Sequence, residues 1–236
     1  MDIYETLSTG FDSDHEFVSI TGGGGKTTLM TGLSSYLRSC GKRVLMTTTT
    51  KIRSPYLMDY KADRIFSDDS VLSYTPDGPC IVVYAVEDAE TGKWSCPPLE
   101  NLDALRLRYD VIICEADGSR GLPLKIHTGR DPVVPSFATH TISVMGLWGI
   151  GHEARSVAFG DDRPLIVDRS YLNWYLKDPE GLLKGSLPGH RAIVFNGADS
   201  FSETGILRDL DYPDDVLVFT ASEQEGVLYE QIRFGV

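Results

Sequence analysis

A chain of 236 residues, 42% hydrophobic and 24% charged, has the makeup of a globular unit with a core of its own. Its formal charge of −12 and pI near 4.8 argue against general nucleic-acid binding through a basic surface. Cys40, Cys80, Cys96 and Cys114 lack C-x-x-C spacing and the five histidines are dispersed, which excludes a disulfide scaffold and speaks against structural zinc. The acidic residues fall in short scattered groups (Asp12/Asp14/Glu16, Asp68/Asp69 and others) that read as solvated surface. Cys40 and Cys114 lie in apolar runs and read as small buried hydrophobes. No signal-like segment and no membrane-length apolar run is present, so the expected location is cytoplasmic, with no membrane partner.

Residues 1 to 14 read as a short polar lead-in. Val18 and Ile20 then suit a buried strand, which runs into Thr21-Gly22-Gly23-Gly24-Gly25-Lys26-Thr27-Thr28. Successive glycines let the backbone turn sharply and approach a ligand. Lys26 adds a fixed positive charge, and Thr27 a hydroxyl of the kind that sits on Mg2+. From Thr27 onward Leu29, Met30, Leu33, Tyr36, Leu37 and Cys40 share one helical face, with Gly41 placed to end the helix. A helix N-terminus offers unpaired N–H groups and partial positive charge, so it takes an anion readily. A mere glycine linker would explain neither the strand before nor the amphipathic helix after. The stretch therefore reads as a phosphate-binding loop, with Gly22, Gly23, Gly24, Gly25, Lys26, Thr27 and Thr28 as nucleotide contacts. Its spacing departs from G-x-x-x-x-G-K-[ST], whose first glycine would fall on Ile20.

Further strands are predicted at Arg43–Met46, Ile81–Val86, Asp110–Cys114, Thr141–Met145, Ala192–Phe195 and Val216–Phe219. Helices are predicted at Leu99–Tyr109, Asp168–Leu176, Pro179–Leu183 and Glu203–Leu210. Residues 52 to 80 and 87 to 98 fit this alternation less well and read as insertions. Strands alternating with helices imply a three-layer P-loop NTPase fold, an α/β unit with a mainly parallel sheet covered by helices on both faces. One domain over residues 1–236 is expected.

In such a sheet ligands sit at the carboxyl ends of the strands. After Val111-Ile112-Ile113-Cys114 come Glu115-Ala116-Asp117-Gly118-Ser119-Arg120-Gly121. A carboxylate there suits Mg2+, which wants oxygen ligands, so Thr27 and Glu115 are the candidate metal ligands. Asp117 is a rival ligand or a group to orient the attacking water. Arg120 is either a stabiliser of charge on a transferred phosphoryl group or a surface ion-pair residue. The threonines Thr47 to Thr50 end the second strand at the same edge, partly as good strand formers. Lys51 and Lys125 read either as substrate contacts or, more simply, as surface charges. Asn196 and Asp199 form an N-x-x-D group after a strand, as in the guanine-reading N-K-x-D of GTPases, with Gly197 in place of the lysine whose stem packs along the base.

Taken together, Ser19–Thr28, Val44–Ile52, Glu115–Gly121 with Leu124-Lys125, Pro179–Gly185 and the Asn196/Asp199 pair resemble the selenium-dependent hydroxylase accessory protein family known as YqeC. The blocks span most of the chain, and the threonine run and the Glu-Ala-Asp-Gly-Ser-Arg-Gly block are the distinctive ones. The resemblance implies a nucleotide-binding fold and a role beside molybdenum hydroxylases that use selenium or their maturation proteins. The residues themselves support a Mg2+-dependent NTPase using GTP or ATP, with Lys26, Glu115, Asp117 and Arg120 as the catalytic set. Two other readings stand beside it: a nucleotide-dependent binding module, and a transferase acting on a small cofactor precursor.

Overall fold

The structure, a computed structural model, describes residues 1–11, 13–88, 90 and 92–233. Its centre is a nine-stranded sheet. The strands are β1 (Glu16–Gly22), β2 (Arg43–Thr48), β3 (Arg64–Phe66), β4 (Cys80–Tyr84), β5 (Val111–Glu115), β6 (His140–Gly146), β7 (Arg191–Asn196), β8 (Val216–Ser222) and β9 (Val227–Arg233). Their spatial order is β9-β8-β7-β6-β1-β5-β2-β4-β3. All neighbours pair in parallel except β8 and β9.

The inner strands are near-continuous apolar runs because both of their faces are covered. On one face lies α2 (Lys26–Ser39), whose Leu29, Met30, Leu33 and Leu37 pack with Val18, Ile20, Met46 and Ile113. Helix α1 (Ile3–Ser8) adds Ile3 and Leu7 to the same cluster. On the other face, Leu102 and Leu105 of α3 (Leu99–Leu105) meet Leu45, Val82 and Ile112. There too α4 (Arg169–Lys177) sets Tyr171, Leu172, Tyr175 and Leu176 against Met145, Ile193 and Phe195. Leu33 is fully enclosed, and truncating such a side chain to alanine costs roughly 2–5 kcal/mol.

This topology positions the site. In strand β1, Ile20 lies opposite Glu115 of β5 on one side and Ile142 of β6 on the other. The parallel strands therefore bring Gly22, Thr48, Glu115, Gly146, Asn196 and Ser222, each the last residue of its strand, to one edge of the sheet.

Several expectations are revised. The lead-in contains α1, nucleated by Asp2, whose side chain accepts from the Tyr4 and Glu5 N–H groups. Residues 179 to 183 are turns, and the helix expected at 203–210 is confined to Gly205–Arg208. Residues 52 to 80 supply edge strand β3. Of the second presumed insertion, 87 to 98, residues 89 and 91 lie outside the described set, as does Asp12 of the first acidic group. Cys40 is exposed at the end of α2, whereas Cys114 is buried. Lys125, read as a surface charge, is 1% exposed; its Nζ donates to Gly118 O and Asp131 Oδ2, both at 2.7 Å.

Candidate functional site

The glycine crook follows directly from β1. Gly22, Gly24 and Gly25 have φ of +94°, +77° and +139°, a region that L side chains avoid. A Cβ at Gly22 would lie 2.2 Å from Val144 O, and one at Gly24 2.3 Å from Gly146 N. Close packing against β6 thus fixes the crook as firmly as its dihedrals do. The crook hands over to α2, whose first N–H groups have no partner inside the helix.

Lys26 is drawn back into the crook and is 4% exposed. Its Nζ donates to Gly22 O at 2.6 Å, lies 3.0 Å from Asp117 Oδ1 and reaches Ser119 Oγ at 3.5 Å. Beside it Thr27 donates its hydroxyl to Glu115 Oε2 at 3.0 Å. The two acids two residues apart behave oppositely. Burial raises Glu115 despite the pull of Lys26 and Thr27. Burial would also raise Asp117, but Lys26, the bond from His127 and the Gly22 N–H outweigh it, and its carboxyl sits below the usual range.

Asp117 is fully enclosed. Its Oδ2 accepts from Gly22 N at 2.8 Å and lies 2.6 Å from His127 Nε2, while His127 Nδ1 is 2.8 Å from Gly181 O. Asp117 therefore holds the lysine and the first glycine of the crook, and His127 holds Asp117. Sequence reading missed His127, since nothing marks a histidine ten residues downstream as a partner.

A cavity of about 940 Å³ opens over the crook. Gly24 to Thr28, Glu115 and Ser119 line its floor. Lys51, Arg53, Met58, Tyr60 and Arg120, which follow β2 and β5, line the end on one side of β1, and Trp148, Asn196, Gly197, Asp199, Phe201 and Ser222, which end or follow β6, β7 and β8, the end on the other. Arg120 adopts φ +53° and holds its guanidinium 5.0 Å over the Phe159 ring. Tyr60 is pushed up to about 12, chiefly by burial and then by Glu115. Asn196 braces the crook: its Nδ2 donates to Gly24 O at 2.7 Å and its Oδ1 accepts from Glu223 N at 2.9 Å. Asp199 accepts from Ser200 Oγ and keeps an open face to the cavity. Thus the structure gathers Gly24, Gly25, Lys26, Thr27, Thr28, Glu115, Arg120, Asn196 and Asp199 around one cavity. Gly22 and Gly23 do not line it but pack against Val144 and against Leu122 and Pro123, with Asp117 buried beside Gly22.

Glu223, also missed, lies behind the crook. It is 1% exposed and neither carboxylate oxygen has a hydrogen-bond partner. Burial raises it well above the ordinary value. A Cβ at Gly25 would fall 2.1 Å from its Oε2.

Oxygen donors of the type Mg2+ prefers meet where Thr27 touches Glu115, so the residues fit that ion. Among the described residues no group of three or more His, Cys, Asp or Glu could hold a metal. Nor is any described helix long and apolar enough to cross a membrane.

A mostly parallel α/β sheet with a glycine crook and a lysine-led helix at its carboxyl edge is consistent with a P-loop NTPase-like fold. The family model described as "YqeC protein" matches residues 18–159. A protein of Escherichia coli (strain K12), described as "Uncharacterized protein YqeC", is 32% identical over 202 residues, 80% of this chain and 78% of its own length. The chain belongs to the YqeC family.

Proposed function

We propose that the protein binds a nucleoside triphosphate with Mg2+ and hydrolyses it as an accessory factor in the maturation of molybdenum hydroxylases that use selenium. The observation that carries the nucleotide reading is Lys26, held inside a glycine crook at the start of α2 on the floor of a large cavity. Three further cations line that cavity (Lys51, Arg53 and Arg120) in a chain of net charge −12. Such local concentration of positive charge favours a polyanion.

In this reading the crook amides and Lys26 hold the phosphates, and Thr27 and Glu115 hold Mg2+, which would neutralise phosphate charge. Asp117 acts as a positioning group for Lys26 and Gly22. Arg120 meets charge developing on the transferred phosphoryl group. Asn196 steadies the crook, and Asp199 is the group placed to select guanine over adenine. The accessory role is what the resemblance described under Sequence analysis implies.

Calorimetric titration with GTP, ATP and their diphosphates, with and without Mg2+, tests the reading. A charge-assisted hydrogen bond contributes roughly 1.5–3 kcal/mol, so Lys26→Ala should weaken triphosphate binding by at least about tenfold. Equal affinity in both proteins would refute the phosphate-loop assignment. One observation favours phosphoryl or nucleotidyl transfer as a second reading. The cavity continues past the crook to Lys51, Arg53, Met58 and Tyr60, leaving space lined by cations for an anionic acceptor. Slow hydrolysis alone and product formation with an added acceptor would select it.

A further inference from the structure

We infer that the indole of Trp148 is the surface on which the planar base of a bound nucleotide stacks. This rests on the nucleotide reading above and adds the element that holds the non-phosphate half of the ligand.

Trp148 stands in the turn Leu147–Gly149 that leaves β6. It is 48% exposed, and it lines the cavity. Its ring bridges two glycines. A Cβ at Gly146 would lie 2.7 Å from Trp148 Cη2 and Cζ2, and one at Gly197 3.0 Å from Cε3 and 3.2 Å from Cζ3. Gly146 is itself packed against Gly24 of the crook. The indole therefore forms a continuous shelf from the phosphate crook to the Asn196-Gly197-Ala198-Asp199 turn.

That shelf fills the space of a missing side chain. In the N-K-x-D arrangement a lysine stem gives the base its apolar face; here Gly197 stands at that position, and an aromatic ring covers it from a different strand. The bland alternative is that Trp148 merely plugs the turn. A plug would be enclosed, as Trp94 is at 0% exposure, whereas Trp148 leaves nearly half its surface open within a cavity. Asp199 and Ser222 line the same end of that cavity, so they can meet the polar edge of a ring lying on the indole. Every nucleobase has a π-face, so the shelf adds affinity for any base and leaves base choice to the polar groups.

The test compares the unmodified chain, Trp148→Ala and Trp148→Phe by calorimetry with Mg2+ and GTP, ATP or inorganic tripolyphosphate. Stacking on an aromatic side chain is expected to contribute about tenfold or more in affinity. Trp148→Ala should lose that factor for both nucleotides and stay within about twofold for tripolyphosphate, while Trp148→Phe recovers most of the loss. Nucleotide binding should also change the Trp148 fluorescence, a signal absent from Trp148→Phe. Nucleotides that bind Trp148→Ala as tightly as the unmodified chain overturn the stacking role alone. Equal losses for nucleotides and tripolyphosphate also overturn it, because the change then acts through the crook. Failure of the unmodified chain to bind either nucleotide or tripolyphosphate removes both the stacking role and the phosphate-loop reading beneath it.

Discussion

Glu223 and Asp117 flank the same lysine and face opposite electrostatic situations. Asp117 has hydrogen bonds from Gly22 and His127 on Oδ2 and the Lys26 ammonium 3.0 Å from Oδ1. Glu223 has no hydrogen-bond partner, and the charge of Lys26 does not offset its burial, so it resists ionisation. A carboxyl raised above its ordinary value of 4.5 keeps, in the folded chain, a proton that the unfolded chain releases. Stability then falls as pH climbs from that value through the raised one. Glu223→Gln removes the ionising group at nearly constant shape. Its melting temperature should exceed the parent's at pH 8, by a few degrees, and the gap should shrink towards pH 5. A parent at least as stable as the variant at both pH values would sink this account. None of it was legible from the sequence. Glu223 follows an ordinary strand, and only the fold reveals that its side chain turns under Gly25. By contrast Lys26, Thr27 and Glu115 were readable, because their chemistry is written in adjacent residues.

At the scale of elements, the unit β1–crook–α2 was legible because its strand, glycines and amphipathic helix are contiguous and mutually consistent. What escaped was set by contacts distant in sequence. The polar segment before β1 becomes α1 because Ile3 and Leu7 find α2 to pack on, and β9 pairs antiparallel with β8 at the sheet edge. Pro179–Leu183 has helical composition but is held as turns, with Gly181 N donating to Asp178 O and Glu180 O accepting from His127 N. The crook itself makes a sharp prediction. Gly22→Ala combines an unfavourable backbone, worth on the order of 1–3 kcal/mol, with a clash on the Val144 carbonyl. Melting should drop by about 2–4 °C for each kcal/mol lost, and triphosphate affinity should fall with it. A Gly22→Ala variant that melts with the parent would show that the crook readily relaxes.

For the whole molecule, the strand order could not be read from the sequence, since a parallel sheet of similar apolar runs can be threaded in many orders. It is the order that puts β1 between β5 and β6 and so brings Lys26, Asp117 and Gly146 together. The charge was legible and bears on ligand form. A chain of −12 repels free polyanions at long range, so the magnesium complex of a triphosphate should bind better than the metal-free one. Chelating the metal with EDTA should weaken binding by roughly tenfold; unchanged affinity would argue that Thr27 and Glu115 hold no ion. In the proposed nucleotide reading, the folded-back ammonium of Lys26 would act as a threshold against small anions. It already has Gly22 O and Asp117 as close neighbours, and a newcomer succeeds only by offering more than they do. Orthophosphate, chloride and sulfate bring too few simultaneous contacts to do so, whereas a chain of linked phosphoryl groups can engage the lysine and the backbone amides at once.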